Sequence, residues 1–146
     1  NLEFVLMGFI NSKAYFEQCQ ERIEHLNLKN IKLLGDAPKE EVNAILASAT
    51  FFLHNLRNEP FGITAVQGIQ AGCLTIVHNS GGQKEVVPND ALRYNSLDEA
   101  VSILQHLAKM AGGEKELMLQ KLADNCKRFE ATTFEESFKQ LISPYL

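Results

Sequence analysis

Between Asn58 and Val87 the chain reads NEPFGITAVQGIQAGCLTIVHNSGGQKEVV, and this order of residue types leaves few folds open. Leu74, Thr75, Ile76 and Val77 form a short unbroken run, rich in β-branched side chains, that reads as a strand buried on both faces. Strands of that kind belong to parallel sheets covered by helices, so sharp turns and helix must flank it. Gly62 stands where an irregular loop becomes a helix, and Gly81 with Gly82 stands where the strand gives way to a loop. Both glycine positions fall at the carboxyl end of the sheet, where open α/β sheets take their ligands.

The rest of the chain repeats the alternation of strand and helix. Leu2 to Met7 reads as a first strand, Gly8 and Asn11 as a turn, and Ser12 as the cap of a helix carrying Tyr15, Phe16, Cys19, Ile23 and Leu26 on one face. Ile31 to Leu34 is a second strand and Gly35 to Pro38 a turn. Lys39 to Ala49 is a helix with Glu40 and Glu41 in its first turn, and Thr50 to His54 is a third strand. Ala91 to Tyr94 makes a short last strand. Ser96, Leu97, Asp98 and Glu99 form a capping box, and Leu97, Ala100, Val101, Leu104, Leu107 and Ala108 then share one stripe. Gly112 and Gly113 interrupt that helix, and another runs to about Phe129 with Met118, Leu122, Cys126 and Phe129 inward. Thr132, Thr133, Phe134 and Glu135 read as the cap of a final helix. The fold class is α/β, a Rossmann-like parallel sheet with helices on both faces.

Composition narrows the function classes. With 146 residues, 45% of them apolar and 22% charged, the chain has material for one core, and residues 1–146 are expected to form a single domain. A net charge of −4 with scattered Lys and Arg gives no footprint for nucleic acid. No apolar run approaches the roughly 20 residues that span a bilayer. Cys19, Cys73 and Cys126 are far apart and lack the paired spacing of zinc or redox sites, which points to reduced core thiols in a cytosolic setting and to no metal. The chain opens at Asn1 rather than Met and enters its first strand without a lead-in, so a longer protein is expected around it.

The chemistry of the run from Asn58 points to a phosphorylated sugar. Without a Cβ at Gly62, the amides of Gly62, Ile63 and Thr64 can approach an anion closely at a helix N-terminus, a favourable seat for a diphosphate. Glu59 repels phosphate, but its carboxylate suits a pair of vicinal hydroxyls. His54 and His78 end neighbouring strands and are given hydrogen-bonding roles behind the ligand; His25 and His106 lie on helices at the surface. Asp36 can cap the helix after it. Lys84 and Glu85 read as a solvated pair, with Glu85 opening or capping the short helix after the glycines.

Glu59-Pro60-Phe61-Gly62-Ile63, a helix ending Ala71-Gly72, a strand, then Ser80-Gly81-Gly82 and Glu85 resemble the nucleotide-sugar signature of retaining glycosyltransferases of family 4, which have the GT-B fold. Leu33-Leu34-Gly35, Pro38 with Glu40 and Glu41, and Ala47 with Ala49 are similar to the family's usual order, so the resemblance covers essentially the whole chain. It implies a carboxyl-terminal donor-binding domain, with the acceptor-binding amino-terminal domain and the basic residues that neutralise the diphosphate outside this chain. It implies Glu59 at the donor-sugar hydroxyls in the catalytic role. It also implies donor contacts from Phe61, Gly62, Ile63, Thr64, Gly81 and Gly82, and a nucleobase near Gly35, Asp36 and Ala37. The family's second glutamate falls at Gln67, which keeps a carbonyl acceptor for a ribose hydroxyl but loses the carboxylate's strength.

The residues around His54 and His78 to Gly82 look most like enzymes that transfer mannose from GDP-mannose to lipid-linked oligosaccharides or surface glycans, with UDP-sugars as the next donors. The resemblance then implies a retaining hexosyltransferase without metal or cofactor, whose isolated donor domain does not turn over. The full-length protein is expected in the cytoplasm, peripheral at the cytoplasmic face of a membrane, with a glycan or lipid-linked acceptor. The competing reading, allowed by Gln67, is a catalytically degenerate glycosyltransferase-like module for binding or regulation. A dinucleotide oxidoreductase lacks its G-x-G-x-x-G after the first strand. In the family the terminal helix packs toward the other domain, which leaves Phe134, Phe138 and Leu141 partly exposed here.

Overall fold

The computed structural model describes residues 2–145. Strands and helices alternate along it as β1 (Phe4–Gly8), α1 (Lys13–His25), β2 (Ile31–Gly35), α2 (Lys39–Ser48), β3 (Phe51–His54), α3 (Ile63–Gln70), β4 (Leu74–His78), α4 (Gln83–Val86), β5 (Arg93–Tyr94), α5 (Leu97–Lys109), α6 (Gly112–Cys126) and α7 (Ala131–Ile142). Every strand pair is parallel: β1 pairs with β2, and β3, β4 and β5 form a second sheet in that order. The chain is thus an α/β protein of parallel strands flanked by helices. It divides into two compact units, one up to Ile45 and one from Leu46 onward.

In the first unit β1 and β2 run in register from Phe4 opposite Ile31 to Gly8 opposite Gly35. The expected first strand is shifted: Phe4 replaces Leu2 as its first residue, because pairing begins where Ile31 offers a partner. Ser12 caps α1 as expected, its hydroxyl accepting from the Tyr15 amide at 3.3 Å. The helix ends in a Schellman motif, with Leu28 N–H donating to Ile23 C=O and Asn27 N–H to Glu24 C=O, while Asn27 takes a φ of 52°. Ile10 lies against Gly35, where a side chain would collide with it.

The second unit holds the core. Cys73 to Val77 are buried, as the unbroken apolar run requires, and Ile76 and Val77 are sealed from solvent together with Val86, Val87, Leu92, Leu107 and Leu122. Fully burying a side chain such as Ile76 or Leu107 stabilises by about 1.5–3 kcal/mol. Burial raises the Cys73 and Cys126 thiols above their ordinary pKa, which suits packing residues rather than nucleophiles. Gly72, at a φ of 93°, ends α3 in the same way that Asn27 ends α1: Cys73 N–H reaches Gly68 C=O and Gly72 N–H reaches Ile69 C=O.

Three helix expectations need correction. On α5, Ala100, Leu104 and Leu107 face the core, but Leu97 and Val101 are 78% and 52% exposed, so the buried stripe is narrower than its periodicity suggests. The helix after the glycines ends at Cys126, and a 3-10 turn carries the chain through Phe129. The last helix starts at Ala131 with Glu130 at its cap position, so Thr132 and Thr133 lie inside it. The Thr133 hydroxyl donates to the Lys127 carbonyl instead of receiving a helix amide. Phe134 and Phe138 stack at 6.0 Å and, with Leu141, remain exposed. Among the described residues no helix is long and apolar enough to cross a membrane.

Candidate functional site

The second unit gathers its candidate functional residues where β3 and β4 end. The loop after β3 carries Glu59, and the loop after β4 carries Ser80, Gly81 and Gly82. The two are laced together: Gly82 N–H donates to Glu59 C=O at 2.8 Å and Asn58 N–H donates to Ser80 Oγ at 2.8 Å. Gly81 has a φ of 66°, and a Cβ there would overlap the Glu59 backbone; a Cβ on Gly82 would overlap the Pro60 carbonyl. The glycine pair is therefore both a turn and a close approach between two backbones, and the two motifs meet in one place.

Gly62, at a φ of 103°, supplies the bend that opens α3, and no side chain of its own caps the helix. Glu59 fills part of that role: its Oε1 accepts from Gly62 N–H at 3.2 Å. A carboxylate thus already holds one of the three amides assigned to a diphosphate, while Ile63 and Thr64 open α3 at an exposed position. Carboxylate oxygens offer about four acceptor sites, so Glu59 can hold Gly62 and still receive hydroxyls. Gln67 is exposed one helical turn along from Ile63. Phe61 meets Phe129 edge-to-face at 5.0 Å.

Behind these residues lies one that sequence reasoning passed over. Gln83 opens α4 and is wholly buried, yet polar. Its Nε2 is 2.9 Å from the Leu56 carbonyl and 3.0 Å from the His78 carbonyl, and its Oε1 is 2.7 Å from His54 Nδ1. No sequence signal set it apart, since Lys84 and Glu85 are equally polar between the glycine pair and Val86. Tyr94 adds a further tie, its hydroxyl donating to the His54 carbonyl at 3.0 Å. Burial raises the Tyr94 phenol above its ordinary pKa, with Arg57 opposing the shift, so the hydroxyl keeps its proton. His78 Nδ1 lies 2.8 Å from Ser80 Oγ. Both histidine side chains are thus hydrogen-bonded within the protein.

Gly35, Asp36 and Ala37 belong to the first unit, just after β2. Asp36 has a φ of 50°, and its N–H donates to Gly8 C=O at 3.0 Å. Its carboxylate accepts from Ile10 N–H at 3.0 Å, tying together the loops after β1 and β2 rather than capping α2.

The profile of the family described as "Glycosyl transferases group 1" matches residues 1–95. The "GDP-Man:Man(3)GlcNAc(2)-PP-Dol alpha-1,2-mannosyltransferase" of Dictyostelium discoideum is 28% identical, over 100% of this chain and 30% of its own length. The Homo sapiens protein of the same description is 30% identical over 94% of this chain and 30% of its own length. The "Phosphatidylinositol N-acetylglucosaminyltransferase GPI3 subunit" of Saccharomyces cerevisiae is 29% identical over 72% of this chain and 23% of its own. The chain thus spans less than a third of the curated relatives it matches. Among solved structures, Anabaena Alr3699/HepE in complex with UDP-glucose superposes with a TM-score of 0.78 at 18% identity, over 96% of this chain and 40% of that one. This likeness is one of fold.

Proposed function

Since the chain belongs to the group 1 glycosyl transferases, we propose that it is the donor-binding part of a retaining family 4 enzyme that takes GDP-mannose, or failing that a UDP-sugar, for transfer to a glycan or lipid-linked acceptor. The observation that carries this reading is the junction of Glu59, the opening of α3 and the Gly81–Gly82 turn, held by Gly82 N–H on Glu59 C=O. A diphosphate is received by the amides at Ile63 and Thr64, where the helix terminus favours negative charge. Glu59 orients the sugar through its hydroxyls, and Gln67 takes a ribose hydroxyl. Catalysis here is positioning and charge stabilisation of the departing diphosphate. No metal or cofactor takes part in this reading. The mannosyltransferase relatives, described by GDP-Man, favour GDP-mannose; the UDP-glucose in the HepE structure keeps UDP-sugars next. The full-length protein works in the cytoplasm, at the membrane face that carries its acceptor.

The test is a thermal-shift panel on the intact chain with GDP, GDP-mannose, UDP, UDP-glucose and UDP-N-acetylglucosamine, beside Glu59→Ala. A ligand at a hundred times its dissociation constant adds about 2.7 kcal/mol to stability. GDP-mannose is expected to raise Tm more than GDP in the wild type and no more than GDP in Glu59→Ala. No sugar transfer is expected from this chain alone, because the acceptor side lies outside it. A flat response to every nucleotide would favour the degenerate binding module, for which Gln67 is the motivating residue.

A further inference from the structure

The hydrogen bonds of Gln83 determine more than its own placement. Carbonyl oxygens only accept, so the group that faces Leu56 C=O at 2.9 Å and His78 C=O at 3.0 Å must be the Gln83 NH2. A flipped amide would set oxygen against two oxygens. The Gln83 Oε1 therefore faces His54 Nδ1 at 2.7 Å, and because an amide oxygen only accepts, His54 Nδ1 must carry a proton. In the neutral imidazole that leaves Nε2 as a lone-pair acceptor, and among the described residues Nε2 makes no hydrogen bond. The ring is only half-buried, at the carboxyl end of β3, and its main chain is fixed by the Tyr94 hydroxyl. Gln83 also packs against the start of α3, where a Cβ on Gly62 would lie 3.1 Å from its own Cβ.

We propose that Gln83 is a positioning residue that holds His54 in the Nδ1–H tautomer, so that His54 Nε2 accepts a hydrogen bond from a hydroxyl of the bound nucleotide sugar. The tautomer half stands on the structure alone; the ligand half rests on the donor-site reading above. A tautomer fixed by a buried partner discriminates in a defined way, since Nε2 accepts from a hydroxyl but offers nothing to an oxygen without a proton. Rotation of the ring cannot supply the missing donor, because Gln83 itself is held by two carbonyls, one in the loop after β3 and one at the last residue of β4.

Long-range proton–nitrogen-15 correlation spectra of the intact chain, with His54 identified by its loss in His54→Ala, read the tautomer directly at a pH where the ring is neutral. Nδ1 is expected to be protonated and Nε2 bare, and the Nε2 resonance is expected to move when GDP-mannose replaces GDP. An Nε2–H ring in the wild type overturns the proposal whatever the ligand does. An Nε2 signal that stays still while the amides of Gly62 and Thr64 respond overturns the acceptor role. If nothing responds to any nucleotide sugar, the donor-site reading fails and the acceptor role with it, while the tautomer result is read independently. In binding, His54→Ala should weaken the sugar-dependent affinity roughly three- to tenfold, the worth of one neutral hydrogen bond. Gln83→Met should lose a similar amount, and the double variant little more, because the two act through one contact. Full additivity would instead assign Gln83 a purely structural role.

Discussion

A Cβ is excluded at residues 81 and 82 for different reasons, and a third glycine separates them. Gly72 sits at a φ of 93° with open space around it, Gly82 has an ordinary φ of −75° but no room, and Gly81 combines a φ of 66° with a clash against the Glu59 backbone. Gly72→Ala is therefore expected to cost roughly 1–2 kcal/mol, the strain of a left-handed backbone alone. Gly82→Ala should cost about 1–3 kcal/mol from overpacking alone. Gly81→Ala carries both terms and should be the most destabilising, as urea denaturation will measure. Only the changes at 81 and 82 push on residues 58–60, so only these should also reduce the Tm gain from GDP-mannose. An equal loss of that gain in Gly72→Ala would break the link drawn here between backbone approach and binding.

At the amino terminus of α5, a local sequence pattern sets both a helix boundary and a pH response. Ser96 Oγ accepts from Glu99 N–H at 3.2 Å, and Glu99 Oε2 accepts from the Asn95 backbone at 2.7 Å and its side-chain amide at 3.1 Å, one residue before the usual target of a capping box. Those Asn95 donors hold the Glu99 carboxyl below its ordinary value of 4.5. A depressed folded-state value means that the carboxylate's contribution is complete above the unfolded pKa and is lost as pH falls through the folded one. Glu99→Gln should therefore flatten the acid limb of the stability–pH curve below the ordinary carboxylate pKa, while Ser96→Ala should lower stability by about 1 kcal/mol at neutral pH. An unchanged acid limb in Glu99→Gln would remove the linkage. This terminus, like Ser12 before α1, was legible because cap and capped amide lie within three residues. The start of α7 was not, because the Thr133 hydroxyl goes to Lys127 C=O in the preceding turn. Periodicity found α5 but not its rotation, which turns Leu97 and Val101 outward. In the site, Glu59 and the glycines could be read from residue type. Gln83 could not, since its burial depends on the Leu56 carbonyl, 27 positions back along the chain.

Across the whole molecule, buried side chains are unevenly shared. From Leu2 to Ile45 no residue is buried, and Phe4, Val5 and Leu6 of β1 are exposed, whereas from Leu46 onward Ile76, Leu92, Leu107 and Leu122 are sealed. Local opening costs least where few apolar groups are covered. Amides of β1 and β2 should therefore exchange with deuterium well before those of β4, whose exchange should require global unfolding. The same experiment tests the proposed donor site of the second unit. With GDP-mannose bound, slowed exchange is expected at residues 58–64 and 79–83, where the α3 amides and the glycine turn lie. GDP alone should protect the opening of α3 equally well, leaving the increment from the sugar at Glu59 and its neighbours. Protection at 79–83 without any at Ile63 and Thr64 would mean that the helix terminus is not the phosphate seat, whatever its charge favours.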